Sequence, residues 1–182
     1  MARSASALRG QILEAALDLF AAGGYRGTSL HDIAVRVGCS KASLLYHFTS
    51  KDAILTELLA PAGEALAALD AELDGLPDDR AVTAAVTGYV DLALRFRREV
   101  KVLFQDVNET TAHPALACVP ELADRLTATL AGRSTEPKRL VTAYMVLGAV
   151  FVTCASDVDV PADTLREELI RGALRTLGGP SR

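Results

Sequence analysis

The side chains in this sequence that could work together are Ser40, Lys41, Ala42 and Ser43, followed by Tyr46, His47 and Lys51. On a helix beginning after Ser40, Lys41, Ala42 and Ser43 fall in the first turn. They are short enough, or flexible enough, for that helix to enter a major groove, where N-terminal residues reach base edges. Tyr46, His47 and Lys51 are residue types that bond phosphate oxygens. Thr28, just upstream, completes the expected DNA-contact set. Catalysis finds no comparable footing. His31, His47 and His113 have no neighbouring Cys, Asp or Glu arrangement that suggests a site. Asp106 and Glu109 stand at i,i+3 spacing, but a lone pair on a polar face is usually solvated. Cys39, Cys118 and Cys154 are widely spaced and form no CxxC or Cys/His pattern, so no metal or cofactor is expected.

Two short helices must position this set. Thr28 or Ser29 can cap the first, and Leu30, Ile33, Ala34 and Val37 give it one apolar face. Gly38 follows, where a chain leaving a helix often needs positive φ. Ser40 can cap the second helix, and Leu44 and Phe48 form its inner face. Ala34 is small where the helices must cross. The alternative is a hairpin used only for packing. The caps, the small crossing residue, the turn glycine and the polar outer face all favour a helix-turn-helix instead.

The stretch from Ile33 to Leu55 resembles the DNA-binding signature of the TetR (tetracycline-repressor-like) family. The resemblance extends upstream through an amphipathic first helix and Phe20-Ala-Ala-Gly-Gly24-Tyr25-Arg-Gly27-Thr28-Ser29, and covers roughly the first third of the chain. The sequence departs from the family pattern at one point. An aromatic, most often Tyr, usually stands two positions before the residue equivalent to His47. Here that position is Leu45, with Tyr46 beside it. The resemblance implies an all-α protein of about nine helices. Residues 1–50 would be a three-helix DNA-binding domain and residues 51–182 a ligand-binding and dimerisation domain. It also implies a small-molecule effector, a double-stranded DNA operator and dimerisation through the last two helices.

The remaining composition fits such an architecture. Half of the 182 residues are hydrophobic, and Ala and Leu dominate. The net charge of −4 argues by itself against a nucleic-acid partner. Its distribution reverses that reading: residues 1–52 carry six basic and four acidic side chains, the rest 13 and 19. A basic end on an acidic body favours docking by one end. The thiols suit a reducing cytosol. Glu14 and Asp18 interrupt the N-terminal apolar run, against a signal peptide. The apolar run from Leu140 to Ala155 is too short to span a bilayer, so no membrane partner is expected.

Helical periodicity predicts further helices over residues 7–22, 51–73, 79–98, 99–110, 115–131, 138–156 and 163–177. Pro61 predicts a kink near 57–61 or a break there. Arg95, Arg97 and Arg98 suggest an anion site or, preferably, favourable charge at a helix C-terminus. His113, before Pro114, reads as a surface residue. Residues 138–156 are apolar nearly all round, which requires burial on both sides. With residues 163–177 they form the expected homodimer interface. Tyr89, Phe96, Phe104, Asn108, Tyr144 and Phe151 are aromatic or polar on otherwise aliphatic helices and are the candidate effector contacts, although packing accounts for each individually. The function these features favour is a ligand-responsive, dimeric transcriptional regulator, with repression and effector release implied by the resemblance. A small enzyme and a helical interaction protein without DNA are the alternatives. Steep salt-dependent retention on DNA resin separates the regulator from both.

Overall fold

Apolar side chains recurring at three- and four-residue spacing commit this chain to helices packed by one face each. A computed structural model describes residues 2–106 and 113–178. Its elements are α1 (Ala2–Gly23), α2 (Leu30–Val37), α3 (Lys41–His47), α4 (Lys51–Asp74), α5 (Asp78–Arg95), α6 (Arg97–Gln105), a 3-10 turn at Pro114–Leu116, α7 (Val119–Leu130), α8 (Pro137–Ala155) and α9 (Ala162–Thr176). No strand occurs among the described residues.

Three apolar clusters hold these helices. The first buries Ile12, Ala16 and Phe20 of α1 against Ile33, Leu44, Phe48 and the start of α4. It is not confined to residues 1–50, because Ile54, Leu55, Leu59, Val102 and Leu116 also belong to it. The second joins Leu69 and Leu73 of α4 to Val86, Leu126, Leu130, Val146 and Ala173. The third packs Val90, Ala93, Val100, Val150 and Cys154. Helix α4 therefore belongs to both the N-terminal head and the body.

Pro61 does not break α4, which runs unbroken from Lys51 to Asp74. The proline is exposed. The Glu57 carbonyl, left without its intrahelical donor, therefore faces the solvent side, where water can serve it. The helix expected over 79–98 instead ends at Arg95 and restarts at Arg97. Phe96, between them, has φ −107° and ψ 34° and is 7% exposed. The break aims Arg97 at the end of α8: Nε donates to the Cys154 carbonyl (3.0 Å) and Nη2 to the Ser156 carbonyl (2.6 Å). Arg98 turns to α1 and pairs with Glu14 and Asp18, each at 2.7 Å. Arg97 and Arg98 thus serve another helix's end and another helix's face.

Helix α8 is longer than its apolar run, with 19 residues, and by length and composition alone it is apolar enough to cross a membrane. One face is nonetheless packed into the body through Ala143, Val146, Val150 and Cys154. The opposite face carries Val141, Tyr144, Met145, Gly148, Ala149 and Val152, all exposed at helical spacing. Val141, Tyr144 and Met145 are 59%, 59% and 61% exposed.

Candidate nucleic-acid interface and effector cavity

Of the two possible caps, Ser29 caps α2. Its Oγ accepts from the Asp32 amide at 3.2 Å, while its own amide donates to Asp32 Oδ2 at 2.8 Å, a reciprocal capping box. The Ser29 hydroxyl, which donates to Asp32 Oδ2 at 2.7 Å, and then the Ser29 amide hold the Asp32 carboxyl below the usual carboxylate range. The box is therefore fully formed above that range and is lost only as pH falls through the lowered value. Gly38 ends the helix at φ 77° and ψ 28°, a left-handed conformation that costs a glycine little. Its amide donates to the Val35 carbonyl (3.1 Å) and that of Cys39 to the Ala34 carbonyl (3.0 Å), which turns the chain sharply into α3.

Ser40 caps α3, accepting from the Ser43 amide at 3.0 Å. Leu44 anchors the inner face and is fully buried. The outer face presents Lys41, Ala42, Leu45 and Tyr46 to solvent, with Ser43 and His47 half-buried at its flank. Tyr46 is 85% exposed, and its ring meets that of His47 edge-on at 5.3 Å. Lys41 forms no ion pair or hydrogen bond among the described residues. Neither does Arg36, an exposed cation in the last turn of α2 that the sequence reading passed over. Its outward polar position on the first helix was the available signal.

Two expected DNA contacts are committed elsewhere. Thr28 is only 6% exposed, and its hydroxyl donates to the Gly24 carbonyl (2.9 Å), with the Leu19 carbonyl at 3.3 Å. It pins the turn between α1 and α2. The ammonium of Lys51 donates to the carbonyls of Tyr25 (2.7 Å) and Thr28 (2.8 Å) and lies 4.2 Å from the Tyr25 ring centroid. That turn leaves carbonyls pointing inward without helical donors, and a lysine in the first turn of α4 supplies them.

The same turn is gripped from the body. The Tyr25 hydroxyl donates to Asp52, and Nε2 of His113 lies 3.8 Å from the same carboxylate oxygen. With its side chain 9% exposed, His113 is not the surface residue its place before a proline suggested. Asp106, following α6, accepts from the amides of Tyr25 and, at 3.3 Å, Arg26. Gly24 makes room for it: a Cβ there would stand 2.9 Å from Asp106 Oδ2. Gln105 donates to the Ala21 carbonyl at 3.0 Å. Helix α6 is thereby laced along α1, a second connection between head and body beside α4.

Between α4, α5, α6, α7 and α8 lies a cavity of about 200 Å³, lined by Leu59, Gly63, Tyr89, Phe96, Leu103 and Phe151 among others. Three expected effector contacts, Tyr89, Phe96 and Phe151, are on its wall. Phe104 is not: α6 turns positions 96, 99, 100 and 103 inward, and Phe104 is 44% exposed, meeting Phe151 with ring centroids 6.1 Å apart. Tyr144 lies on the open stripe of α8. Asn108 lies outside the described residues. Glu99 lines the cavity and was missed, although its spacing from Phe96 and Leu103 carried the signal.

Comparison with known proteins yields one consistent picture. Residues 12–58 match the profile of the family described as bacterial regulatory proteins, tetR family. The HTH-type transcriptional regulator RutR of Escherichia coli (strain K12) is 34% identical over 146 residues, 80% of this chain. The chain spans 66% of that relative's length. The biofilm operon icaADBC HTH-type negative transcriptional regulator IcaR of Staphylococcus aureus (strain Newman) is 49% identical over 47 residues, 26% of this chain and 25% of that one. Mycobacterium smegmatis AmtR is similar in structure, with TM-score 0.71 and 28% identity over 96% of this chain and 87% of that one. The ketosteroid transcriptional regulator KstR2 of Mycobacterium tuberculosis shares the fold at TM-score 0.77, with 18% identity over 96% and 95% of the two chains.

Proposed function

Since this chain belongs to the TetR family of bacterial regulatory proteins, we propose that it is a cytoplasmic transcriptional repressor. It holds a palindromic operator as a homodimer and releases it when a small, largely apolar effector enters the cavity. Residues 1–50 form the DNA-binding head and residues 51–182 the body. One observation carries the DNA reading. Helix α3 is capped, anchored by Leu44, and presents Lys41, Ala42 and Tyr46 outward with no ion pair or hydrogen bond to other described residues. Ser43 and Lys41 meet base edges, while Ser40, Tyr46, His47 and Arg36 meet phosphates.

Selection from a random duplex library tests this reading. It should return two inverted half-sites with centres one helical turn apart, about 34–36 Å, or a multiple of that. Affinity for the selected duplex should fall linearly with salt on logarithmic axes. Enrichment of no sequence, with binding insensitive to salt, would remove the DNA reading. Within a selected site, Ser43→Ala should lose about 1–3 kcal/mol and relax preference at one position of each half-site. Unchanged preference at every position would take Ser43 off the bases.

Release follows from what surrounds the cavity. Leu59, Ala62, Gly63 and Leu66 of α4 line it and bracket Pro61, where the helix lacks one hydrogen bond. A ligand favouring one bend of α4 shifts the separation of the two heads by its differential affinity. Pro61→Ala restores the hydrogen bond. It should change the effector's influence on operator affinity more than effector affinity itself. Operator titrations with and without effector, in both proteins, give that coupling. An equal coupling with an intact fold would leave Pro61 as architecture.

A further inference from the structure

We infer that the cavity selects a small lipophilic cation: a protonated amine carried on one hydrocarbon ring or a short chain, with its ammonium on Glu99. This deepens the effector role proposed above and rests on it only for the consequence, not for the binding. Among the described residues the wall is aliphatic and aromatic on every helix that contributes to it, and Glu99 is its single charged side chain. The neighbouring basic residues of α6 make their direct contacts elsewhere: Arg97 with the end of α8, Arg98 with Glu14 and Asp18 while also feeling the charge of Glu99 without touching it, and Lys101 with Asp157. Glu99 forms no ion pair or hydrogen bond among the described residues. A carboxylate beside apolar walls gains most from a cation that brings its own apolar body.

The second polar group on the wall points the same way. Tyr89 commits its hydroxyl proton to the Leu147 carbonyl at 3.1 Å, and burial pushes its phenol well above the usual range, so it stays protonated. What it can offer a ligand is an oxygen lone pair. Both polar side chains are therefore acceptors. A ligand carboxylate would face repulsion from Glu99 and no side-chain donor among the described residues. A ligand ammonium would find both acceptors. Size sets the rest. A cavity of about 150 Å³ takes benzene, so the 200 Å³ here suits one ring with a short arm.

Three probes of matched shape decide the matter by calorimetry on the DNA-free protein: 2-phenylethylamine, 2-phenylethanol and phenylacetate. The amine should bind about tenfold or more tighter than the alcohol, equivalent to ~1.4 kcal/mol, and phenylacetate weakest. Glu99→Gln should erase the amine's advantage and leave the alcohol unchanged. Gly63→Leu, filling space where an added Cβ meets nothing within 4 Å, should block both. Phenylacetate binding best, no binding by any probe, or an amine preference that survives Glu99→Gln would each overturn the inference. The wild-type series decides alone if a variant misfolds. Operator affinity is read separately. Amine binding that leaves operator affinity unchanged supports this inference and overturns the effector role.

Discussion

Gly148→Arg should yield a folded monomer that has lost specific operator binding. The exposed stripe of α8 is apolar along its whole length, and Gly148 sits at its centre. A continuous apolar surface of this kind is uncommon on a monomer and typical of an interface. Beside it, Met145, Ala149, Leu169 and Gly172 line an open groove between α8 and α9 of about 470 Å³, into which a second copy can pack. A Cβ at Gly148 meets nothing within 4 Å, so an arginine there leaves the protomer's own packing intact. Across a two-fold axis, however, it brings two unpaired guanidinium groups into an apolar contact, where desolvation is costly. Sedimentation should then show half the mass, and circular dichroism an unchanged helix content. A dimer presents two heads to one operator, and losing that linkage should weaken binding by about 10²–10⁴-fold. An intact dimer in this variant would move the interface away from Gly148.

Lys51→Met should lower the melting temperature and weaken every DNA sequence alike. The methionine keeps much of the side chain's apolar stem but gives up two charge-assisted hydrogen bonds to the Tyr25 and Thr28 carbonyls and the stacking on Tyr25. Hydrogen bonds to charged groups contribute about 1.5–3 kcal/mol each, but partial exposure places the pair together near ~3 kcal/mol. For a chain of this size that is roughly 6–12 °C at fixed protein concentration. The head should loosen first, since the turn between α1 and α2 is what the lysine holds. A lysine engaged mainly with phosphate would behave differently: the melting temperature would stay put and the salt dependence of DNA binding would flatten. Measuring both quantities on one variant separates the two roles.

That contrast marks where sequence stops being informative. The helix-turn-helix was readable because its signals are local. Ser29, Gly38 and Ser40 each act on backbone groups within five residues, and Ile33, Leu44 and Phe48 announce their burial by spacing. Lys51 and Thr28 read as DNA contacts because nothing in the spacing marks their partners: the Lys51 ammonium reaches carbonyls 26 and 23 residues away, and Thr28 bonds back into a turn whose carbonyl directions no periodicity encodes. His113 and Asp106 were opaque for the same reason, each meeting the head across more than 60 residues of chain. In the body, Tyr89, Phe96 and Phe151, which line the cavity, stand out in the sequence as aromatics on aliphatic helices. Glu99 was passed over because a charged residue on an amphipathic helix normally faces water. The break at Phe96 goes with the place of Glu99 on the cavity wall and with the Arg97 contacts to the end of α8.

The grip of Arg97 on the last turn of α8 has a mechanical meaning. It ties α6 to α8 as one wall, since a single planar guanidinium is fixed by two carbonyls. Opposite stands α4, short of one internal hydrogen bond at Pro61. Compliance across the cavity is therefore unequal. Pressure from inside is resisted on one side and yields on the other, as a spring pushed against an anvil moves only away from it. On the effector role proposed above, an occupant that favours a displaced wall should move α4 rather than α6 or α8. Chemical selectivity can then be set by the wall while the output stays a single, graded motion of the head.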